Sequence, residues 1–205
     1  MPVRSGVIPR PMKYIGSGFT TVQIATRPLS GNGAYFITAQ PGVSATLALQ
    51  FMLQDIEQYA TFSALFDQYM IEEVQVCVIP RSNALAYNAA TALNQVNPSL
   101  YIVIDRDDNA TLTTSNDAAQ YDNMLQINAV TGANIKLRPS IAAALWSSGV
   151  FTGYSIGGPK WIDIANTAVP HYGVKVVCQP LQASSTETIS WDFTIRYRIA
   201  FRNVR

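Results

Sequence analysis

The chain has 205 residues, of which 48% are hydrophobic and only 13% charged, and 14 Lys and Arg against 13 Asp and Glu leave a formal net charge of +1. That length and apolar content support one large core without need of a second, and the near-zero charge excludes a protein held to nucleic acid by general basicity. No apolar run reaches the length of a membrane span, so no membrane partner is expected, and Met1-Pro-Val-Arg-Ser-Gly6 lacks the apolar stretch of a signal peptide, so synthesis in the cytoplasm is expected.

Residues 1–18 contain Pro2, Gly6, Pro9, Pro11, Gly16 and Gly18, with Arg4, Arg10 and Lys13 as the only charges. This predicts an extended N-terminal arm over 1–18, followed by a single domain over 19–205. Strands are predicted at Thr20–Thr26, Ala34–Thr38 and Ala45–Leu53, the last two joined by the turn Gln40-Pro-Gly-Val43. Phe62, Leu65, Phe66 and Tyr69 fall at i, i+3, i+4 and i+7 behind a capping residue, Thr61, and predict a short helix on the sheet edge. Further strands are predicted at Ile71–Ile79, Leu100–Ile104, Met124–Val130, Asn134–Leu137 and Tyr172–Cys178. Three long loops separate them, at 81–99, 105–123 and 138–171, the last two with single helical turns at Ser115–Tyr121 and Ser140–Trp146. From Ile189 to Phe201 every second residue is large and apolar, a period of two that means strand. At roughly 3.3 Å per residue this run extends roughly 40 Å and needs a correspondingly broad sheet. Strands alternating with loops rather than helices exclude βαβ units and leave an antiparallel sandwich or barrel.

Candidate chemistry is sparse. His171 is the only histidine, so no His-based metal cluster can form, and with no Ser, Cys or acid at motif spacing no catalytic residue is assigned. It reads as an ordinary loop histidine. Cys77 and Cys178 each sit in a Val-rich run and read as buried small hydrophobes, not a disulfide. Asp105, Asp107 and Asp108 crowd three carboxylates into four residues at a strand end. The Asp105-x-Asp107-x-Asn109 spacing resembles the start of an EF-hand loop, but Ala110 stands where its Gly should be and Asn116 where its Glu should be. Two readings stay open there: Ca²⁺ shared between neighbouring subunits, and a solvated turn balanced by Arg106. Arg196, Arg198 and Arg202 share the polar face of the last strand, where they can meet phosphates or the carboxylates of a neighbour such as Glu72 or Asp192. Arg4, Arg10 and Lys13, on a flexible arm, are the better candidates for touching nucleic acid. Trp146, Phe151, Tyr154 and Trp161 enrich the longest loop in aromatics, which pack between subunits in a shell and stack on sugar in a lectin.

Three segments taken in order resemble the shell domain of capsid proteins of small icosahedral viruses, especially those of circular Rep-encoding single-stranded DNA viruses. They are Leu65-Phe-Asp-Gln-Tyr-Met-Ile-Glu-Glu-Val-Gln-Val-Cys-Val-Ile-Pro80, Leu100-Tyr-Ile-Val-Ile-Asp-Arg-Asp-Asp-Asn-Ala-Thr111, and His171-Tyr-Gly-Val-Lys-Val-Val-Cys178 with the long strand after it. Together they span about residues 45 to 203. The resemblance implies an all-β, antiparallel, eight-stranded jelly-roll β-sandwich with short helices in its loops, no enzymatic activity, and self-assembly into an icosahedral virion shell of sixty copies or a multiple. The runner-up is a carbohydrate-binding, lectin-like β-sandwich using the aromatic loop. One feature departs from the family: its members commonly begin with an Arg-rich arm that binds the genome, and residues 1–18 carry only three basic side chains. Sixty copies at +1 carry about +60, whereas single-stranded nucleic acid carries roughly one negative charge per nucleotide. Shells holding little nucleic acid are therefore expected.

Overall fold

The computed structural model describes residues 12–16, 36–56, 59–81, 98–147, 150–157, 160–181, 183 and 188–204. The predicted strand Thr20–Thr26 and most of the loop 81–99 lie outside them. Twelve strands, two short helices and one 3-10 turn occur among the described residues: β1 (Met12–Gly16), β2 (Phe36–Ala39), β3 (Ala45–Phe51), the 3-10 turn Leu53–Asp55, α1 (Tyr59–Leu65), β4 (Phe66–Pro80), β5 (Leu100–Ile104), α2 (Ser115–Ala118), β6 (Leu125–Ile127), β7 (Ala133–Leu137), β8 (Ser140–Ser147), β9 (Val150–Gly157), β10 (Ile162–Asp163), β11 (His171–Cys178) and β12 (Ile189–Val204).

All strand pairs are antiparallel and form two six-stranded sheets. The expected eight strands are thus twelve, and length explains the difference. One edge of the 16-residue β12 is occupied by β4, so β1 and β2 lie end to end along the other. In the same way β7 and β10 share the far edge of β4. In the second sheet β3 runs along one edge of β11, and β5 and β8 share the other, backed by β6 and β9. Each sheet is therefore four strand positions wide, which keeps the jelly-roll layout.

Side-chain alternation decides which face each strand buries. In β12, Trp191, Phe193, Ile195, Tyr197, Ile199 and Phe201 point inward and are buried, while Arg196 and Arg198 are exposed. In β4 the inward set changes parity between Ile71 and Val74, with Glu72 and Glu73 between them. The register against β12 shifts there by one residue, a bulge that returns Val74, Val76 and Val78 to the core. Fully buried side chains include Trp191, Tyr69, Phe51, Phe193 and Phe201. Each such aromatic hides roughly 150–250 Å², on the order of 4–6 kcal/mol of transfer free energy. Their polar ends reach loop carbonyls: Tyr69 Oη donates to Asn166 O at 2.9 Å and Trp191 Nε1 to Asn128 O at 3.4 Å.

Several expectations are corrected. Met12–Gly16 is not a free arm, because it pairs with Gly16 opposite Tyr197 through Met12 opposite Phe201. The helix stops at Leu65, which is 49% exposed, and Thr61 lies within it. Phe66 and Tyr69 belong to β4, and Phe62 and Phe66 both stack on Phe201, at 4.9 and 5.1 Å between ring centroids. The helical spacing was thus the meeting of a helix end and a strand start on one aromatic ring. Ser140–Trp146 is the first strand of the β8–β9 hairpin, not a helical turn, because cross-strand pairing overrides the helix preference of its alanines. The turn at Gln40–Val43 forms as expected, with Gly42 at φ +70°, a conformation glycine adopts without strain.

Candidate functional site

Two charged surfaces lie on opposite sides of the sandwich. On the second sheet, β11 is apolar along nearly its whole length because it is covered twice. Val174, Val176 and Cys178 face the core, while Val177, with Val103, Leu112 and Ala118, packs under the loop 105–123 on the outer face. This loop therefore has its own small core. Its helix α2 is capped by Thr114 and Asp117: Asp117 N donates to Thr114 Oγ1 at 3.3 Å, and Asp117 Oδ2 accepts from Thr113 N and Thr114 N at 3.0 and 2.8 Å.

Lys175 also points outward from β11, and the same loop buries it. Its Nζ lies 2.8 Å from Asp105 Oδ2 and 2.6 Å from Asp108 Oδ1. Tyr121 Oη donates to Asp105 Oδ2 at 3.0 Å and Asp107 N to Asp105 Oδ1 at 3.0 Å. Burial by itself raises the Asp105 pKa, but the bonds from Lys175, Asp107 N–H and Tyr121, with the Lys175 charge, outweigh it and hold the carboxyl below its ordinary range. Burial likewise lowers the Lys175 pKa, and the two carboxylates more than reverse that. Of the three candidate metal ligands, the structure thus gives Asp105 and Asp108 to an internal ammonium and leaves Asp107 exposed. The balancing cation is Lys175, not the exposed Arg106. Among the described residues no three His, Cys, Asp or Glu side chains converge as a metal site requires. The sequence does carry a signal for Lys175: one Lys in an otherwise apolar strand.

On the first sheet the outer face is basic. Gln75 stands opposite Arg196 on β12 and Lys136 on β7, so two cations flank one amide in a row across three strands. Arg198 Nε pairs with Glu72 Oε2 at 3.2 Å. Arg202 Nε donates to Gln68 Oε1 at 2.5 Å, and its guanidinium lies 4.3 Å from the centroid of the Trp161 ring. Arg81 pairs with Asp192 at 2.7 Å. Glu72 and Asp192, expected to serve a neighbouring subunit, are therefore engaged within the chain. Lys13 falls opposite Ala200 on the edge of this sheet, and Arg4 and Arg10 lie outside the described residues.

His171 is not a loop residue; it opens β11 and is fully buried. Its Nδ1 faces the carbonyls of Phe51 and Val169 at 3.1 and 3.0 Å, so Nδ1 carries the hydrogen and the ring is neutral. Burial pushes its pKa down to about 4, the carbonyls opposing. Near it, Asp55 Oδ2 accepts from Met52 N at 2.9 Å and from Tyr197 Oη at 3.5 Å, and burial outweighs both to raise its pKa to about 6. Both groups sit inside the sandwich and hold the end of β3 in place. Cys77 and Cys178 are free thiols, as expected. Trp146 lies in β8 and Phe151 and Tyr154 lie in β9, while the Trp161 ring lies against the Arg202 guanidinium. No helix among the described residues is long and apolar enough to cross a membrane.

Among the described residues this arrangement offers two charged faces, and comparison with known proteins gives it a family. A family model described as Circovirus capsid protein matches residues 7–205. The BFDV capsid protein in its 60-mer crystal structure is 18% identical with a TM-score of 0.57, over 95% of this chain and 90% of that one. In the decameric BFDV structure the figures are 21% and 0.50, over 94% and 95%. A chain of mud crab tombus-like virus solved by cryo-EM is 13% identical with a TM-score of 0.50, over 100% and 88%. At these identities the structures show a shared fold. No curated protein matches the chain. The match over nearly its whole length shows that the chain belongs to the circovirus capsid protein family.

Proposed function

We propose that copies of this viral capsid protein close into an icosahedral shell of sixty subunits, with a structural role and no catalysis. The observation that carries this is the family match over 7–205 on a fold shared with a protein that crystallises as a 60-mer. The low charged fraction of 13% supports it, because nearly neutral surfaces pack against their copies with little self-repulsion. The carbohydrate-binding alternative finds no support in the fold or the comparisons.

In the assembled shell the basic residues of the first 18, Arg4, Arg10 and Lys13, are the ones we assign to nucleic acid. With a net charge of +1 per chain, particles of this chain alone neutralise little of a genome. We assign no metal to assembly, since Lys175 already supplies the cation between Asp105 and Asp108. Negative-stain microscopy of the purified protein tests the reading. Uniform closed particles whose absorbance ratio at 260 and 280 nm is that of protein are expected. A protein seen only as dispersed single subunits would overturn the shell, and a nucleoprotein ratio would overturn the low genome content.

A further inference from the structure

Although the whole chain is nearly neutral, its charge is segregated by face. The outer face of the first sheet and its ends carry Arg81, Lys136, Arg138, Arg196, Arg198 and Arg202 against Glu72, Glu73, Asp163 and Asp192. Two of these carboxylates are taken up in pairs, Glu72 with Arg198 and Asp192 with Arg81. The central row, Lys136–Gln75–Arg196, has no acid in it. At about 4.8 Å between strands its two cations stand roughly 10 Å apart.

The opposite outer face is acidic. Between 105 and 123 lie Asp105, Asp107, Asp108, Asp117 and Asp122 against Arg106, with Lys175 beneath. Lys175 and Tyr121 hold Asp105, while Asp107 and Asp122 are exposed. Asn123 ties the end of the loop to its start, accepting from the Ile104 N–H at 3.2 Å and donating to the Ile104 carbonyl at 2.7 Å. The cluster of Val103, Leu112, Ala118 and Val177 under the loop fixes it on the sheet, so its acidic edge is presented rigidly.

We propose that the basic outer face of the first sheet docks the acidic edge of the loop 105–123 of a second copy of this chain, with Lys136 and Arg196 meeting Asp107 and Asp122. This rests on the shell reading above and adds which surfaces meet. A contact between two different patches of the same chain is head-to-tail, and head-to-tail contacts propagate until a rotation closes them into a ring. A second copy supplies the complementary carboxylates on a loop held against its own sheet, and a nucleic acid on this face is the other outcome of the test.

Charge reversal in both partners tests this. Lys136→Glu with Arg196→Glu on one face, or Asp107→Lys with Asp122→Lys on the other, should each raise the protein concentration needed for half-assembly by about tenfold or more at low salt, since each sets like charges together. All four substitutions combined should restore assembly toward wild type. The milder pair Lys136→Gln with Arg196→Gln should act in the same direction with a smaller shift. All four positions changed are on the surface, and an unchanged melting temperature of the dispersed subunit confirms that each variant folds. Wild-type protein that assembles while the reversed variants assemble equally well overturns the docking and leaves the shell intact. Normal assembly with loss of bound nucleic acid in the Lys136/Arg196 variant also overturns it, and gives that face to the genome. Wild-type protein that never assembles removes the shell reading, and this docking with it.

Discussion

Replacing Lys175 with methionine tests how the loop 105–123 is fastened to the second sheet. Methionine keeps most of the apolar stem and removes the ammonium from between Asp105 and Asp108. The Asp105 side chain is 9% exposed and Asp108 57%, so the two carboxylates respond differently. Asp108 recovers solvent, and its pairing is worth about 0–1 kcal/mol, as for a surface pair. Asp105 remains inside with only Tyr121 Oη and Asp107 N–H as partners. Removing one member of a buried pair costs about 3–5 kcal/mol, and these remaining bonds place the loss near the lower end, about 3 kcal/mol. For a chain of this size that lowers the melting temperature by roughly 6–12 °C. Urea unfolding followed by tryptophan fluorescence measures it, at matched protein concentration because assembly stabilises the folded state by mass action. The sign with pH follows from Asp105. Its folded pKa is depressed, so the stabilisation by Lys175 is present above the ordinary carboxyl value near 3.8 and fades as pH falls through the lower folded value. The deficit of Lys175→Met should therefore shrink in acid, and Asp105→Asn added to it should recover at least half of the loss. A variant within about 0.5 kcal/mol of wild type at pH 7, a range ordinary for surface changes, would refute the reasoning.

Three further outcomes are expected. Asp55→Asn should be more stable than wild type at pH 8, because the folded state carries an ionised carboxylate there whose pKa burial has raised to about 6; urea titrations should show the advantage shrinking as pH falls through 6 and vanishing near 4. Gly132→Ala should lose about 1–3 kcal/mol, since a Cβ there would stand 2.6 Å from the carbonyl oxygen of Val78 and push β7 from β4; thermal melting measures it. Chelation with EDTA should leave particle size unchanged by light scattering, because an ammonium holds Asp105 and Asp108 together.

How much of this could be read from the residues depends on how local the cause was. The long closing strand was legible because its period of two runs unbroken over Ile189–Phe201, and burial of one face enforces it. The second sheet was legible at Leu100–Ile104 and at Tyr172–Cys178 for a different reason, as short apolar runs rich in Val and Ile. Features that depend on a distant partner were not. The extent of β1 depends on β12 lying beside it, and β8 on β9. The start of β4 was masked by Phe62, Leu65, Phe66 and Tyr69, whose helical spacing serves a ring on another strand. The acidic turn at 105–108 was visible, but its partner is 67 residues away from Asp108. Only the antiparallel pairing of β5 with β11, which sets Lys175 opposite Val103, brings them together. Charge on the last strand was visible as Arg196, Arg198 and Arg202, yet the row with Lys136 needs the register of β7 against β4.

Sedimentation velocity of the purified protein, without crosslinker, at physiological salt tests the central claim most directly. Self-assembly predicts a discrete species of about 1.3 MDa, sixty times the 22.4 kDa chain, in equilibrium with small oligomers. A single boundary at the mass of one chain over a wide range of concentration and salt would contradict it.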